Sequence, residues 1–161
     1  MVIGFPMHSN RYLENSYSFF HYKLKLEIQI SEILKKLEYF SIYKAHPARL
    51  KELGGTLENK FNSIETKNFE KVWFNAGVLI FTSLGSSTLG YALNLPIPIV
   101  YINSEGTPIN KNILGVLKKR LVIINNKFYK GKNTINSYDL GNSITKARKL
   151  VNLEIVKKLT G

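Results

Sequence analysis

Short apolar runs alternate along the chain with stretches whose apolar residues recur every three or four positions, and that alternation predicts a βαβ protein built on a parallel sheet. Val2 to Phe5 is the first run, stopped by Pro6, and a polar, aromatic loop from Met7 to Phe20 follows it. That loop is longer than most strand-to-helix connections, and loops of this kind at strand ends often carry function. Two periodicities then compete. Tyr22, Leu24, Leu26, Ile28 and Ile30 alternate as in a strand, whereas Leu26, Ile30, Ile33, Leu34 and Leu37 share one face of a helix. The good helix formers in this stretch decide for a helix from His21 to Leu37.

Phe40 to Lys44 is the next strand, ended by His46-Pro47, because proline restricts the residue before it and cannot donate to a ladder. Ala48 to Leu53 reads as a short helix stopped by Gly54-Gly55. Thr56 to Thr66 has room for one short edge strand, and Phe69 to Asn75 for a helical turn or two. Val78 to Phe81 is a fully buried strand that runs into the small-residue turn Thr82-Ser83-Leu84-Gly85-Ser86-Ser87-Thr88 and a helix from Thr88 to Asn94. Ile99 to Ile102 is a further buried strand, Asn112 to Lys119 a helix, Leu121 to Ile124 a strand and Asn125 to Ser137 a basic loop. Asp139 is placed to cap a last helix whose core face is Leu140, Ile144, Ala147, Val151, Ile155 and Leu159. The expected fold is α/β, a Rossmann-like three-layer αβα sandwich with a mainly parallel sheet.

Composition fits that picture. The chain has 161 residues, 44% of them hydrophobic and 12% aromatic, enough for a single domain over residues 1–161 with a substantial core. The chain has no cysteine, which excludes a disulfide framework, a thiolate zinc site and a cysteine nucleophile. The three histidines and one aspartate show no metal-ligand spacing, so no metal and no cofactor is expected. Charges, glycine or proline interrupt each apolar stretch well short of the roughly twenty residues a membrane-spanning helix needs. Pro6, His8, Asn10, Arg11 and Glu14 break up any signal-peptide core, so the expected location is cytoplasmic.

The formal net charge of +12 is compatible with nucleic acid, an acidic membrane surface or a phosphorylated small molecule, and equally with a solvated basic surface. The strand-turn-helix from Leu79 to Leu93 narrows the choice. A helix start carries unpaired N–H groups, to which Ser83, Ser86, Ser87 and Thr88 add hydroxyls, a combination suited to phosphate. The plainer alternative is that Ser86 or Ser87 simply caps the helix. A second polar strand end is Tyr43-Lys44-Ala45-His46-Pro47-Ala48-Arg49. Here His46 can bond a base, ribose or phosphate while Lys44 and Arg49 supply positive charge; alternatively His46 is a loop histidine satisfied by backbone. No GxGxxG or Walker loop supports phosphate binding independently.

The segments "IYKAHPARL" and "VLIFTSLGSSTLGYALNLPIPIVYIN" together resemble the carboxyl-terminal, donor-binding half of GT-B fold glycosyltransferases of bacterial surface-polysaccharide synthesis. The likeness is to capsule-polysaccharide, polysialyltransferase and glycerophosphotransferase-like members, through a "K-x-HP" segment and the serine segment that follows, and it spans Ser41 to Asn103. It implies that His46 contacts the nucleotide of a nucleotide-activated donor, and that Ser83 with Ser86, Ser87 and Thr88 holds the donor phosphate. It also implies that a general base comes from an amino-terminal lobe, so the chain is expected to be either one lobe of a two-lobed transferase that takes a glycan acceptor or a short relic of such an enzyme. In such an enzyme the first loop lines the cleft between lobes. Arg11 is then a candidate phosphate clamp, and His8 and Glu14 candidate contacts to sugar or acceptor, unless the loop's Tyr12, Tyr17 and Phe19 merely pack on their own domain.

The basic carboxyl third includes Lys118, Lys119, Arg120, Lys127, Lys130, Lys132, Lys146, Arg148, Lys149, Lys157 and Lys158. Read with the resemblance, it suits peripheral contact with an acidic inner-membrane face or an anionic glycan. Nucleic acid is not an expected partner, because no RNP-like, KH-type or zinc-finger reader is present. The reading is therefore a nucleotide-sugar or nucleotide-polyol phosphate binding domain of a glycosyltransferase. Its alternatives are a basic nucleic-acid-binding module without catalysis and a nucleotide-sugar epimerase-like enzyme, the latter needing carboxylates that the chain barely supplies.

Overall fold

The computed structural model describes residues 1–4, 16–47, 56–84, 86–104 and 109–151. Its main sheet contains β1 (Val2–Ile3), β2 (Ile42–Lys44), β3 (Ser63–Glu65), β4 (Leu79–Phe81), β5 (Ile99–Ser104) and β6 (Val122–Asn126), in the order β3-β2-β1-β4-β5-β6. Every neighbouring pair is parallel. Parallel strands require crossovers; the helices α1 (Ser16–Lys36), α2 (Ser87–Leu93) and α3 (Lys111–Leu117) lie along them, and α4 (Ser137–Arg148) follows the last strand. Between β3 and β4 the chain instead makes two 3₁₀ turns, Phe69–Lys71 and Trp73–Asn75.

The strands are apolar on both faces because both faces are covered. Val2, Ile80, Val100 and Ile102 belong to one core with Leu26, Ile30, Ile33 and Leu34 of α1 and Leu140, Ile144 and Ala147 of α4. Their neighbours Ile3, Leu79, Phe81, Ile99 and Tyr101 belong to the other, with Leu89 and Ala92 of α2, Leu117 of α3, and Phe69 and Val72 of the 3₁₀ turns. The result is the expected Rossmann-like α/β sandwich. Among the described residues no helix is long and apolar enough to cross a membrane.

Several boundaries differ from the sequence reading. α1 starts at Ser16 rather than His21, so the end of the presumed loop is helical. The last helix is capped by Asn136, whose side chain accepts from the Asp139 N–H at 3.0 Å, while the Asp139 carboxylate accepts from the Asn136 amide at 2.6 Å. Asp139 is thus the reciprocal partner of the cap, an arrangement like a capping box. Val151 lies beyond the helix and is exposed, so it is not part of the core face. The basic loop contains a hairpin, β7 (Phe128–Tyr129) with β8 (Lys132–Asn133), turned by Lys130 and Gly131 at φ 47° and 78°. Positive φ at both turn residues matches the twist of the flanking strands. The short helix expected over Ala48–Leu53 and the core positions Ile155 and Leu159 lie outside the described residues.

Arg120, one of the cations of the basic carboxyl third, is fully buried and so is no part of a contact surface. Its Nε donates to the Leu93 carbonyl at 3.0 Å, and its Nη2 to those of Leu95 and Ile97 at 2.6 and 3.1 Å. The guanidinium thus ties together backbone carbonyls at and just beyond the end of α2.

Candidate functional site

In an open parallel sheet, ligands bind outside the carboxyl ends of the strands where the winding direction reverses. Here that place is between β1 and β4: one side of the sheet continues through β2 and β3, the other through β5 and β6. At the carboxyl ends of β1 and β2 there is a cleft of about 280 Å³, lined by Gly4, Lys44, His46, Asn68, Glu70 and Thr88 among others. Its volume sits near the lower end of the roughly 300–1,000 Å³ typical of small-molecule sites, suited to a phosphate and one sugar ring.

Each wall has a local cause. Gly4 ends β1, and a Cβ there would stand 2.4 Å from Tyr43 Oη and 3.0 Å from the Lys44 carbonyl, so only glycine lets β1 and β2 meet at this point. Tyr43 faces the α1 layer and donates to Glu27 Oε2 at 3.0 Å. The next residue, Lys44, faces the cleft and is buried, its Nζ donating to the Ala45 carbonyl at 2.7 Å. Burial lowers the Lys44 ammonium from its ordinary range, and the Glu65 and Glu70 carboxylates oppose that shift. Half-buried His46 continues the wall, and half-buried Thr88, in the first turn of α2, closes it.

Lys44 and His46, from one strand end, are therefore brought together with Thr88, from a separate segment of the sequence. The other expected residues are not. Ser86 is the N-cap residue of α2 without a side-chain cap bond. It lines a different, apolar groove of about 380 Å³ between α2 and α3, with Leu84, Leu89, Leu93 and Ile113. Ser83 is half-buried after β4, Ser87 is exposed, and neither lines the cleft. Arg49, His8, Arg11 and Glu14 lie outside the described residues.

Two groups of polar residues were missed. Asn68 and Glu70 reach the cleft from the end of the β3 crossover, where a lone amide and a lone carboxylate give no local signal. The second group lies in α1, where Lys23 donates to the Thr82 carbonyl at 2.5 Å and to Ser104 Oγ at 3.0 Å, tying together the ends of β4 and β5. Burial lowers Lys23 to about 8, while Glu27, one helical turn on, opposes the shift. A signal for this pair did exist, since Lys23 and Glu27 fall on the apolar stripe of α1, where charged residues rarely sit unless paired.

No protein-family model, curated protein or solved structure matches the chain. The reading of the cleft therefore stands on its chemistry: a buried lysine, an imidazole, a hydroxyl, an amide and a carboxylate around a space the size of a phosphorylated sugar.

Proposed function

We propose that this chain binds a nucleotide-activated sugar or polyol phosphate, as the donor-binding unit of a GT-B-like glycosyltransferase for bacterial surface polysaccharide. The observation that carries the reading is the convergence of Lys44 and His46, from the His-Pro strand end, with Thr88, from the serine-rich turn, in one cleft at the reversal point of the sheet. The resemblance of those two segments to the donor-binding half of such enzymes supports it further.

In this scheme Lys44 offsets the charge of the donor phosphate, and His46 and Thr88 form hydrogen bonds to it. As the bond to the transferred group breaks, negative charge grows on the departing phosphate, and fixed donors already aimed there stabilise it without rearranging. Lys44 suits that role because part of its solvation is already lost, so its attraction to an anion is less screened than that of a surface lysine.

The test is a thermal-shift series with CMP, CDP, UDP and GDP on the wild-type chain and on His46→Ala. A ligand at a hundredfold its Kd stabilises by about 2.7 kcal/mol, which for a chain of this size raises Tm by roughly 5–10 °C. At least one nucleotide is expected to give such a shift, and His46→Ala to reduce it by at least half. Stabilisation by none of them, or an undiminished shift in the variant, would sink the proposal.

A further inference from the structure

The cleft lining is chemically mixed. Lys44 and His46 enter it from the end of β2, and Asn68 and Glu70 from the turn that leaves β3. A carboxylate beside an anion site is costly, since like charges at contact distance repel. Glu70 is close enough to Lys44 to support its charge. The neighbouring acid, Glu65, is already engaged, its Oε1 accepting from the Lys67 N–H at 2.8 Å. Among the described residues, by contrast, neither the Asn68 side-chain amide nor the Glu70 carboxylate has a hydrogen-bond partner. Both are exposed at the cleft.

We propose that Asn68 and Glu70 read hydroxyl groups of the ligand, so that the cleft selects a phosphate ester carrying neighbouring hydroxyls, such as a ribonucleotide, over a bare phosphate or a deoxygenated analogue. An ionised carboxylate only accepts hydrogen bonds, and its two oxygens match two adjacent hydroxyl donors; the Asn68 amide adds one acceptor and two donors alongside. Phosphate oxygens offer Glu70 no donor, so it repels the charged end of a ligand and attracts the hydroxylated end. The cation and the carboxylate therefore bias the ligand's direction as well as its class. This inference rests on the phosphate-binding reading of Lys44, His46 and Thr88.

The experiment is isothermal titration of the full chain with CDP, UDP and GDP, with the 2′,3′-dideoxy counterpart of each, and with inorganic pyrophosphate. The variants are Glu70→Gln, Asn68→Ala and Lys44→Met, with thermal melts to confirm that each is folded. A hydrogen bond to a charged group lost at a solvent-accessible site corresponds to about tenfold in affinity. The wild-type chain is expected to prefer the ribonucleotide over its dideoxy counterpart by at least that factor. Glu70→Gln should collapse the preference while leaving pyrophosphate bound as well as before or better. Asn68→Ala, an exposed change that does not disturb the fold, should reduce the preference, whereas Lys44→Met should weaken both nucleotides alike. Equal binding of ribo and dideoxy forms, or a Glu70→Gln variant that discriminates as the wild type does, overturns the assignment of these two residues and leaves the phosphate site standing. Failure of every nucleotide to bind overturns both.

Discussion

At the scale of single residues, the cleft depends on positions whose neighbours leave little freedom. Gly4 is the sharpest case, because the Tyr43 ring and the Lys44 carbonyl occupy the space of a side chain. Gly4→Ala should cost roughly 1–3 kcal/mol, the usual range for forcing extra atoms into a packed region, measured as a lower urea midpoint; an unchanged midpoint would show that β1 and β2 can separate freely. Lys23 offers a test by pH. Its ammonium is lowered by burial to about 8 from 10.5, so between these values the unfolded chain holds more protons at this site than the folded one. Its contribution to stability therefore rises as pH increases through that window and is lost as pH falls back through it. Lys23→Met is expected to flatten the slope of Tm against pH between 8 and 10.5, and parallel profiles for the two proteins would refute the assignment. The close approach at Gly4 could not be read from sequence, since it depends on which strand lies beside β1. The Lys23 and Glu27 pair could have been, as charges on an apolar stripe.

At the scale of elements, what was legible followed from periodicity and what was not depended on partners from elsewhere in the chain. Leu26, Ile30, Ile33 and Leu34 announced the buried face of α1, and Leu140, Ile144 and Ala147 that of α4. The hairpin β7–β8 escaped because Lys130-Gly131 is not one of the stronger turn pairs and its two-residue strands are too short to show alternation. It is held in place largely by its base, where the Asn126 amide donates to Tyr22 Oη at 3.0 Å and to Asn133 Oδ1 at 2.8 Å, and Phe128 packs edge-on to Tyr22. Arg120 illustrates the same limit, its role being set by the end of α2 and not by the basic run in which it sits. Arg120→Lys should behave as a severe change and not a conservative one, because a single ammonium cannot replace a planar fork reaching several carbonyls. A loss of roughly 3 kcal/mol or more is expected in chemical denaturation, and a variant as stable as the wild type would show that the carbonyls are satisfied by other means.

At the scale of the whole molecule, the surplus of twelve positive charges separates into distinct populations. Lys23 and Arg120 hold the fold together, and Lys44 is turned to the cleft. Lys118, Lys119, Lys127, Lys130, Lys132, Lys146 and Lys149 are exposed, as is Arg148, which lines a groove near the amino ends of β1, β2 and β4. The α/β class and the parallel sheet were legible in the alternation of short apolar runs with helical patterns. The meeting of His46 with Thr88 was anticipated only through the two strand ends, and the approach of Asn68 and Glu70 to the same cleft not at all, because it is assembled by crossovers that sequence spacing does not reveal. Those crossovers also govern how the chain must fold. With all six strands of the main sheet paired in parallel, none of those pairings can begin as a local hairpin, and each must wait for a long stretch of chain to close before any ladder forms. The molecule is thus expected among the slower folders for its length, its central strands exposed to mispairing until the helices have laid themselves across both faces.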